Sequence, residues 1–131
     1  MKSFPINNPS GECGFDAGIS HDRKCSGKLT LVLLNARSVC NKIPDMRAEL
    51  LGTDNPPDII CITETWLKPS IPDVALQCVP QYQVFRRDRV DRPGGGVAVL
   101  VKNNLKCHAV DYCGVDDVEC LCVKVKSARR S

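Results

Sequence analysis

The stretch LTLVLLNARSVCNKIPDMRAELLGTDNPPDIICITETWL, residues 29–67, decides the fold of this chain. Two apolar runs within it, 29–34 and 58–63, are each typical of a strand that is buried on both faces. The segment between them carries apolar residues at helical spacing, which predicts a helix that starts at an N-cap, Asn41, and stops at Gly52. Strand, helix and strand with short connections predict a right-handed βαβ unit whose strands are parallel.

Each predicted strand of this unit ends in a polar residue, Asn35 or Glu64. Because parallel strands end at the same edge of a sheet, we expect the amide and the carboxylate to meet where open α/β sheets bind ligands. A single Glu there suits Mg²⁺, which one or two carboxylates and substrate phosphates commonly hold. The alternative is a Glu that only marks the end of a strand, and Asn35 could likewise be an ordinary turn residue.

The rest of the chain predicts four further strands, at 82–85, 97–102, 105–110 and 118–125. The pair Asn103-Asn104 predicts a turn that joins the second of these strands to the third as partners. Residues 68–81 contain three prolines and are expected to form a long surface loop. The glycines at 94–96 favour a tight connection over a phosphate-binding loop, because no Lys-Ser or Lys-Thr pair follows them.

The two ends of the chain lack periodic apolar residues. Residues 1–28 are rich in Gly, Ser, Asn and Pro and are expected to be a flexible leader, and 127–131 form a short basic tail. The folded domain is therefore predicted to cover 29–126. Only one helix is clearly predicted, so the sheet would have an uncovered face and the domain would be unfinished.

Composition narrows the class of protein more than it identifies a function. The formal charge of +3 permits a nucleic-acid partner without requiring one. The basic cluster at 86–92 could contact a nucleic-acid backbone or could be a solvated loop. No apolar run approaches the roughly 20 residues that span a bilayer, and no signal peptide is recognisable. We expect an intracellular protein, nuclear or cytoplasmic, that is neither secreted nor bound to a membrane.

Nine cysteines make the chain cysteine-rich. An odd count without a signal peptide favours free thiols over a disulfide framework, although a secreted, disulfide-bonded interaction module is the alternative. Cys13, His21 and Cys25 offer three metal ligands, but their spacing matches no common zinc module.

Four short motifs in a fixed order carry a resemblance to a known family. They are LNARS at 34–38, followed by NK at 41–42, then ETWL at 64–67, RDR at 87–89 and GGGVAV at 94–99. Together they closely resemble the endonuclease domain of a non-LTR (LINE-type) retrotransposon, within the endonuclease/exonuclease/phosphatase family. The resemblance covers about residues 29–126.

The resemblance implies an α/β fold, a four-layer sandwich of two face-to-face sheets with helices outside. It also implies Mg²⁺-dependent cleavage of a DNA phosphodiester, which nicks the target for a reverse transcriptase domain of the same polyprotein. Asn35 would be the active-site amide and Glu64 the catalytic, metal-binding carboxylate. The candidate DNA-contact residues are Arg37, Ser38, Lys42, Asp88 and Arg89. Arg37 and Lys42 could meet phosphate oxygens, or they could be solvated surface charges.

The sequence departs from this family in its later motifs. An Asp-Asn pair after a Gly and a final Asp-His pair, which supply the water-orienting residues and the general base, are absent. We therefore expect about the first half of the domain, and loss of a general base typically costs about 10²–10⁴-fold in rate. A catalytically inactive fragment with at most weak nucleic-acid or partner binding is the alternative to an endonuclease.

Overall fold

A computed structural model of the chain describes residues 28–111 and 119–126. The predicted leader (apart from residue 28), the possible ligands Cys13, His21 and Cys25, and the basic tail lie outside the described residues. The elements, in chain order, are β1 (Leu31–Asn35), a first 3₁₀ helix (Val39–Asn41), α1 (Ile43–Leu51), β2 (Ile59–Thr63), a second 3₁₀ helix (Asp73–Leu76), β3 (Tyr82–Arg87), β4 (Val97–Lys102), β5 (Lys106–Val110) and β6 (Cys122–Lys126). Within these ranges, no helix has the length and apolar character needed to cross a membrane.

The predicted βαβ unit is confirmed in its strands, its helix and its parallel pairing. β1 and β2 run parallel and in register, with Asn35 opposite Thr63 at the end. The prediction that Asn41 caps the helix is wrong, because this residue belongs to the 3₁₀ helix and α1 begins after Lys42. The N–H of Lys42 bonds to the carbonyl of Val39 at 2.8 Å, which closes a tighter turn before the helix starts.

A mixed four-stranded sheet is the centre of the fold, in the order β1-β2-β4-β3. β4 pairs antiparallel with both β2 and β3, so the prediction that it pairs with β5 is wrong. The turn at Asn103-Asn104 does form, but both edges of β4 are already occupied by other strands. β5 pairs instead with β6 in a separate two-stranded sheet.

Two apolar clusters lie on the two faces of the central sheet, and the second cluster involves β2, β3 and β4. On one face, Met46 and Leu50 of α1 join a core with Ile60 of β2 and Leu100 of β4. On the other, side chains of β2 and β4 pack with apolar residues of β5 and β6, namely Cys107, Val123 and Val125. The described residues therefore form a mixed α/β fold with a helix, a sheet and a second small sheet in succession.

The segment 68–81 is more ordered than the predicted surface loop. It contains the second 3₁₀ helix, and the side chains of Leu76, Cys78 and Val79 are buried in the helix-side core. Arg86 of β3 fixes this segment by donating to the carbonyls of Ile71 and Lys68, at 2.6 and 2.9 Å. The three prolines of the segment predict an exposed loop, so the burial of these apolar side chains was not predicted from the sequence.

Candidate active site

The ends of β1 and β2 lie side by side and continue to interact beyond the strands. The N–H of Ser38 donates to the carbonyl of Glu64 at 3.0 Å, and that of Val39 donates to the carbonyl of Thr65 at 3.0 Å. Asn35, opposite Thr63, is thus one residue away from Glu64 in the ladder. The parallel strands place the predicted amide and carboxylate at the same edge, while their catalytic roles stay a prediction.

The turn that carries Glu64 has an unusual backbone. Glu64 and Trp66 both adopt left-handed conformations, with φ values of 55° and 57°. L-residues other than glycine rarely adopt this region, and such positions concentrate at functional sites. The indole Nε1–H of Trp66 donates to Oε1 of Glu64 at 2.8 Å. The turn therefore holds its own carboxylate by a side-chain hydrogen bond.

The glycine run at 94–96 supports this turn from the neighbouring strand. Because β4 is antiparallel to β2, its first residue lies at the same edge as the end of β2. The N–H groups of Thr65 and Trp66 donate to the carbonyls of Gly96 and Gly95, at 3.1 and 2.8 Å. A Cβ atom at Gly96 would lie 2.4 Å from Oγ1 of the buried Thr65, so only glycine permits this approach.

An ion pair between Arg89 and Glu119 closes the glycine side of the site. Glu119 accepts a hydrogen bond from Nε of Arg89 with one oxygen and from the N–H of Gly96, at 2.9 Å, with the other. The bond from Arg89, followed by that from Gly96, holds the pKa of Glu119 below its ordinary value. The same ion pair raises the pKa of Arg89.

Sequence reasoning missed Glu119, which it placed only inside the predicted strand 118–125. The available signal was a carboxylate at the start of an apolar alternating segment, and nothing local links it to Arg89. The contact joins residues 30 positions apart.

The remaining candidate DNA-contact residues have different surroundings. Arg37 is exposed next to the site, and Lys42 donates from Nζ to the carbonyl of Ala36 at 2.9 Å. The side chain of Asp88 is only 10% exposed and accepts two hydrogen bonds from Arg86. Asp88 therefore anchors β3 to the segment that follows it, and a contact between Asp88 and DNA stays a prediction.

The side chains at this edge suit a hard cation that takes most of its ligands from water and phosphate rather than from the protein. Among residues 28–111 and 119–126, no three or more Asp, Glu, His or Cys side chains cluster as a metal site. Within the same residues the side-chain amide of Asn35, an exposed residue, makes no hydrogen bond. One carboxylate is what Mg²⁺ commonly takes from a protein together with water and phosphate oxygens, and an amide beside it can donate to such a phosphate oxygen. The site fits such an ion, although it does not enclose one.

The solved structures to which the chain is similar include the following three. The chain is similar to a 3′ phosphatase, NExo (D146N), from Neisseria bound to product DNA hairpin, with 24% identity, a TM-score of 0.49, and coverage of 63% of this chain and 31% of that one. For the 3′-5′ exonuclease NExo from Neisseria meningitidis the values are 25%, 0.48, 63% and 31%. For an AP endonuclease from Archaeoglobus fulgidus they are 23%, 0.45, 56% and 27%. The chain thus spans less than a third of the length of each.

The comparison of sequences is more decisive. A search of curated proteins finds no match. The family model described as Endonuclease/Exonuclease/phosphatase family matches residues 34–130, a range that includes Asn35, Glu64, Arg89 and Glu119. This chain therefore belongs to the endonuclease/exonuclease/phosphatase family.

Proposed function

We propose that this chain is the part of a Mg²⁺-dependent DNA endonuclease that holds the cation and the scissile phosphate. The observation that carries the proposal is the placement of the Asn35 amide and the Glu64 carboxylate at one sheet edge, on neighbouring parallel strands. The family match supports phosphodiester hydrolysis as the class of reaction. The order of the LNARS, ETWL, RDR and GGGVAV motifs supports a non-LTR retrotransposon as its origin.

Each residue at this edge has a chemical task in the proposed reaction. Glu64 would hold Mg²⁺, which when bound supplies positive charge next to the phosphate. The amide of Asn35 donates hydrogen bonds without carrying charge, so it can orient a phosphate oxygen without repelling the cation. Arg37 extends into solvent beside it and can hold phosphate oxygens with two N–H groups at once.

The proposed partners follow from the same motifs. DNA is the substrate, and a reverse transcriptase domain in the same polyprotein would use the nicked end. Such a protein acts inside the cell, in the nucleus or cytoplasm. The general base is the missing part of this proposal, because the Asp-His pair that would supply it is not found in the sequence.

Plasmid nicking tests the proposal directly. The purified chain is incubated with supercoiled DNA and Mg²⁺, beside the variants Glu64→Ala and Glu49→Ala. Glu49 is an exposed carboxylate on α1, so it controls for loss of one negative charge away from the edge. Nicking that disappears with Glu64→Ala or EDTA, and persists with Glu49→Ala, supports an endonuclease.

Absence of nicking by a chain that circular dichroism shows to be folded contradicts activity of this chain by itself. The alternative, a catalytically inactive relic, then predicts weak DNA retention in a gel-shift assay that falls steeply with salt. The observation that favours this alternative is that Asp88 pairs with Arg86 and Arg89 pairs with Glu119, which leaves fewer groups for DNA.

A further inference from the structure

We propose that Trp66 positions the carboxylate of Glu64 for the cation, an inference that rests on the proposed function. An indole N–H is a donor only, so it binds a carboxylate oxygen and cannot compete with that oxygen for a metal. Its bond to Oε1 of Glu64 is 2.8 Å long. The second oxygen, Oε2, has no hydrogen bond to any other residue among those described.

The indole is not a core side chain. Trp66 is 42% exposed at the edge of the sheet, whereas the residues on either side of it, Thr65 and Leu67, are buried. A tryptophan that served packing alone would bury its ring and find a backbone partner for its N–H. Here the polar end of the ring contacts the predicted cation ligand.

The backbone around Trp66 is fixed in the conformation that this contact needs. The backbone N–H of Trp66 donates to the carbonyl of Gly95. The φ of Trp66, 57°, places this residue in the left-handed region together with Glu64. A Cβ atom at Gly94 would lie 3.7 Å from Nε1 of the indole, so the glycine run passes directly beside the ring. The bond to Gly95 and the left-handed conformations of Glu64 and Trp66 thus set where the donor lies relative to the carboxylate before any ligand binds.

The chain contains a single tryptophan, which makes the contact directly measurable. A ¹H–¹⁵N spectrum of the whole chain therefore has one indole resonance. We expect this resonance to shift in Glu64→Ala and to stay in place in Glu49→Ala. Added Mn²⁺ is expected to broaden it in the wild type and in Glu49→Ala, but not in Glu64→Ala.

The positioning role is tested by removing the donor while keeping the ring. Replacing tryptophan with 3-benzothienylalanine during synthesis exchanges only the N–H of Trp66 for sulfur, and Trp66→Phe is a second variant. Without the donor, the Glu64 side chain must be ordered when the cation binds, which is expected to weaken Mn²⁺ binding roughly fivefold, as measured from the electron paramagnetic resonance signal of free Mn²⁺.

The outcomes separate this inference from the proposed function. Equal Mn²⁺ affinity of the wild type and both Trp66 variants overturns the role of Trp66 and leaves the cation site intact. An indole resonance that does not shift in Glu64→Ala also overturns the role of Trp66. A folded wild-type chain that binds no Mn²⁺ overturns the proposed function, and the role of Trp66 falls with it.

Discussion

The carboxylate of Glu119 links two parts of the site that are distant in sequence. One oxygen meets Arg89 and the other meets the N–H of Gly96, whose carbonyl in turn accepts from Thr65. Both oxygens of Glu119 are therefore occupied by hydrogen bonds within the chain. Through these bonds Glu119 fixes the glycine strand on which the Glu64 turn rests.

The substitution Glu119→Gln should make the free energy of unfolding less dependent on pH in the acidic range. The pKa of Glu119 is lowered in the folded chain, so its ionised form stabilises the fold above its ordinary pKa of 4.5, and this stabilisation is lost as the pH falls through the lowered value. We expect the wild type to be more stable at pH 7 and the difference to shrink below about pH 5. Urea unfolding at a series of pH values measures it, and a constant difference would contradict the expectation.

Tyr82 should make the stability of the chain depend on pH in the alkaline range as well. Its ring is buried and its hydroxyl donates to the carbonyl of Pro57 at 2.7 Å, while burial, followed by Asp58, raises its pKa to about 12. The substitution Tyr82→Phe should cost about 1–2 kcal/mol at pH 7, since it leaves the carbonyl without its donor.

The pH dependence of Tyr82 has the opposite sign to that of Glu119. A raised pKa means that its stabilisation is present below the ordinary value of 10.0 and is lost as the pH rises toward 12. The difference between the wild type and Tyr82→Phe should therefore narrow above pH 10. A difference that widens instead would show that ionised Tyr82 is tolerated in the core.

Residue-level prediction succeeded where strand ends alone place a side chain. Asn35 and Glu64 could be placed together because a parallel pair of strands determines where both end. The bonds of Glu119 could not be predicted, since they depend on how two loops 30 residues apart meet. The bond between Trp66 and Glu64 is local, but it depends on two left-handed residues that no sequence rule requires there.

At the scale of elements, the glycine run that precedes β4 contains positions that differ in their tolerance of a side chain. Gly94 and Gly96 have similar left-handed φ values, 85° and 91°. An added Cβ at Gly94 would have ordinary contacts at 3.6 Å or more, while one at Gly96 would collide with Thr65. A side chain would thus meet similar backbone strain at both positions but different packing.

We expect Gly96→Ala to destabilise the chain by about 2–4 kcal/mol and Gly94→Ala by about 1 kcal/mol. The difference between the two variants isolates the collision with Thr65, because the backbone term is common to both. Thermal and urea unfolding measure the difference. Equal destabilisation would mean that the strand from Gly96 can move away from the Glu64 turn without cost.

Elements were predictable where the decisive contacts are close in sequence. The βαβ unit follows from periodic apolar residues over 29–67, and both the helix and its parallel strands are present. The pairing of β4 with β5 was wrong because a turn signal reports only on neighbours, and β3 competes for the same edge from elsewhere in the chain. The buried residues of 68–81 were hidden by prolines that predict exposure.

At the scale of the whole molecule, one face of β1 has no apolar cluster packed on it among residues 28–111 and 119–126. Alternate residues of β1 pack against the helix-side core, whereas Leu31 and Leu33 are 57% and 66% exposed. The second, two-stranded sheet packs over β2, β3 and β4, and β1 contributes no residue to that cluster. Contiguous exposed leucines on an edge strand favour association between chains.

The double substitution Leu31→Thr and Leu33→Thr should reduce concentration-dependent self-association. Threonine keeps the β-propensity of the strand while removing apolar surface. Leu51→Thr is the matched control, because Leu51 is 68% exposed on α1, away from the sheet. Light scattering over a range of concentrations measures the effect, and an equal reduction by the control would contradict a specific role for the β1 face.

The left-handed turn at Glu64 and Trp66 also has a meaning for how this chain changes under selection. Glycine adopts such a backbone without penalty, so Glu64→Gly would relieve about 1 kcal/mol of strain while deleting the carboxylate. A library of variants selected only for abundance should therefore accumulate glycine or asparagine at both positions. If Glu and Trp persist at these two positions in natural variants, this would indicate that selection for activity outweighs the preference of a left-handed backbone for glycine.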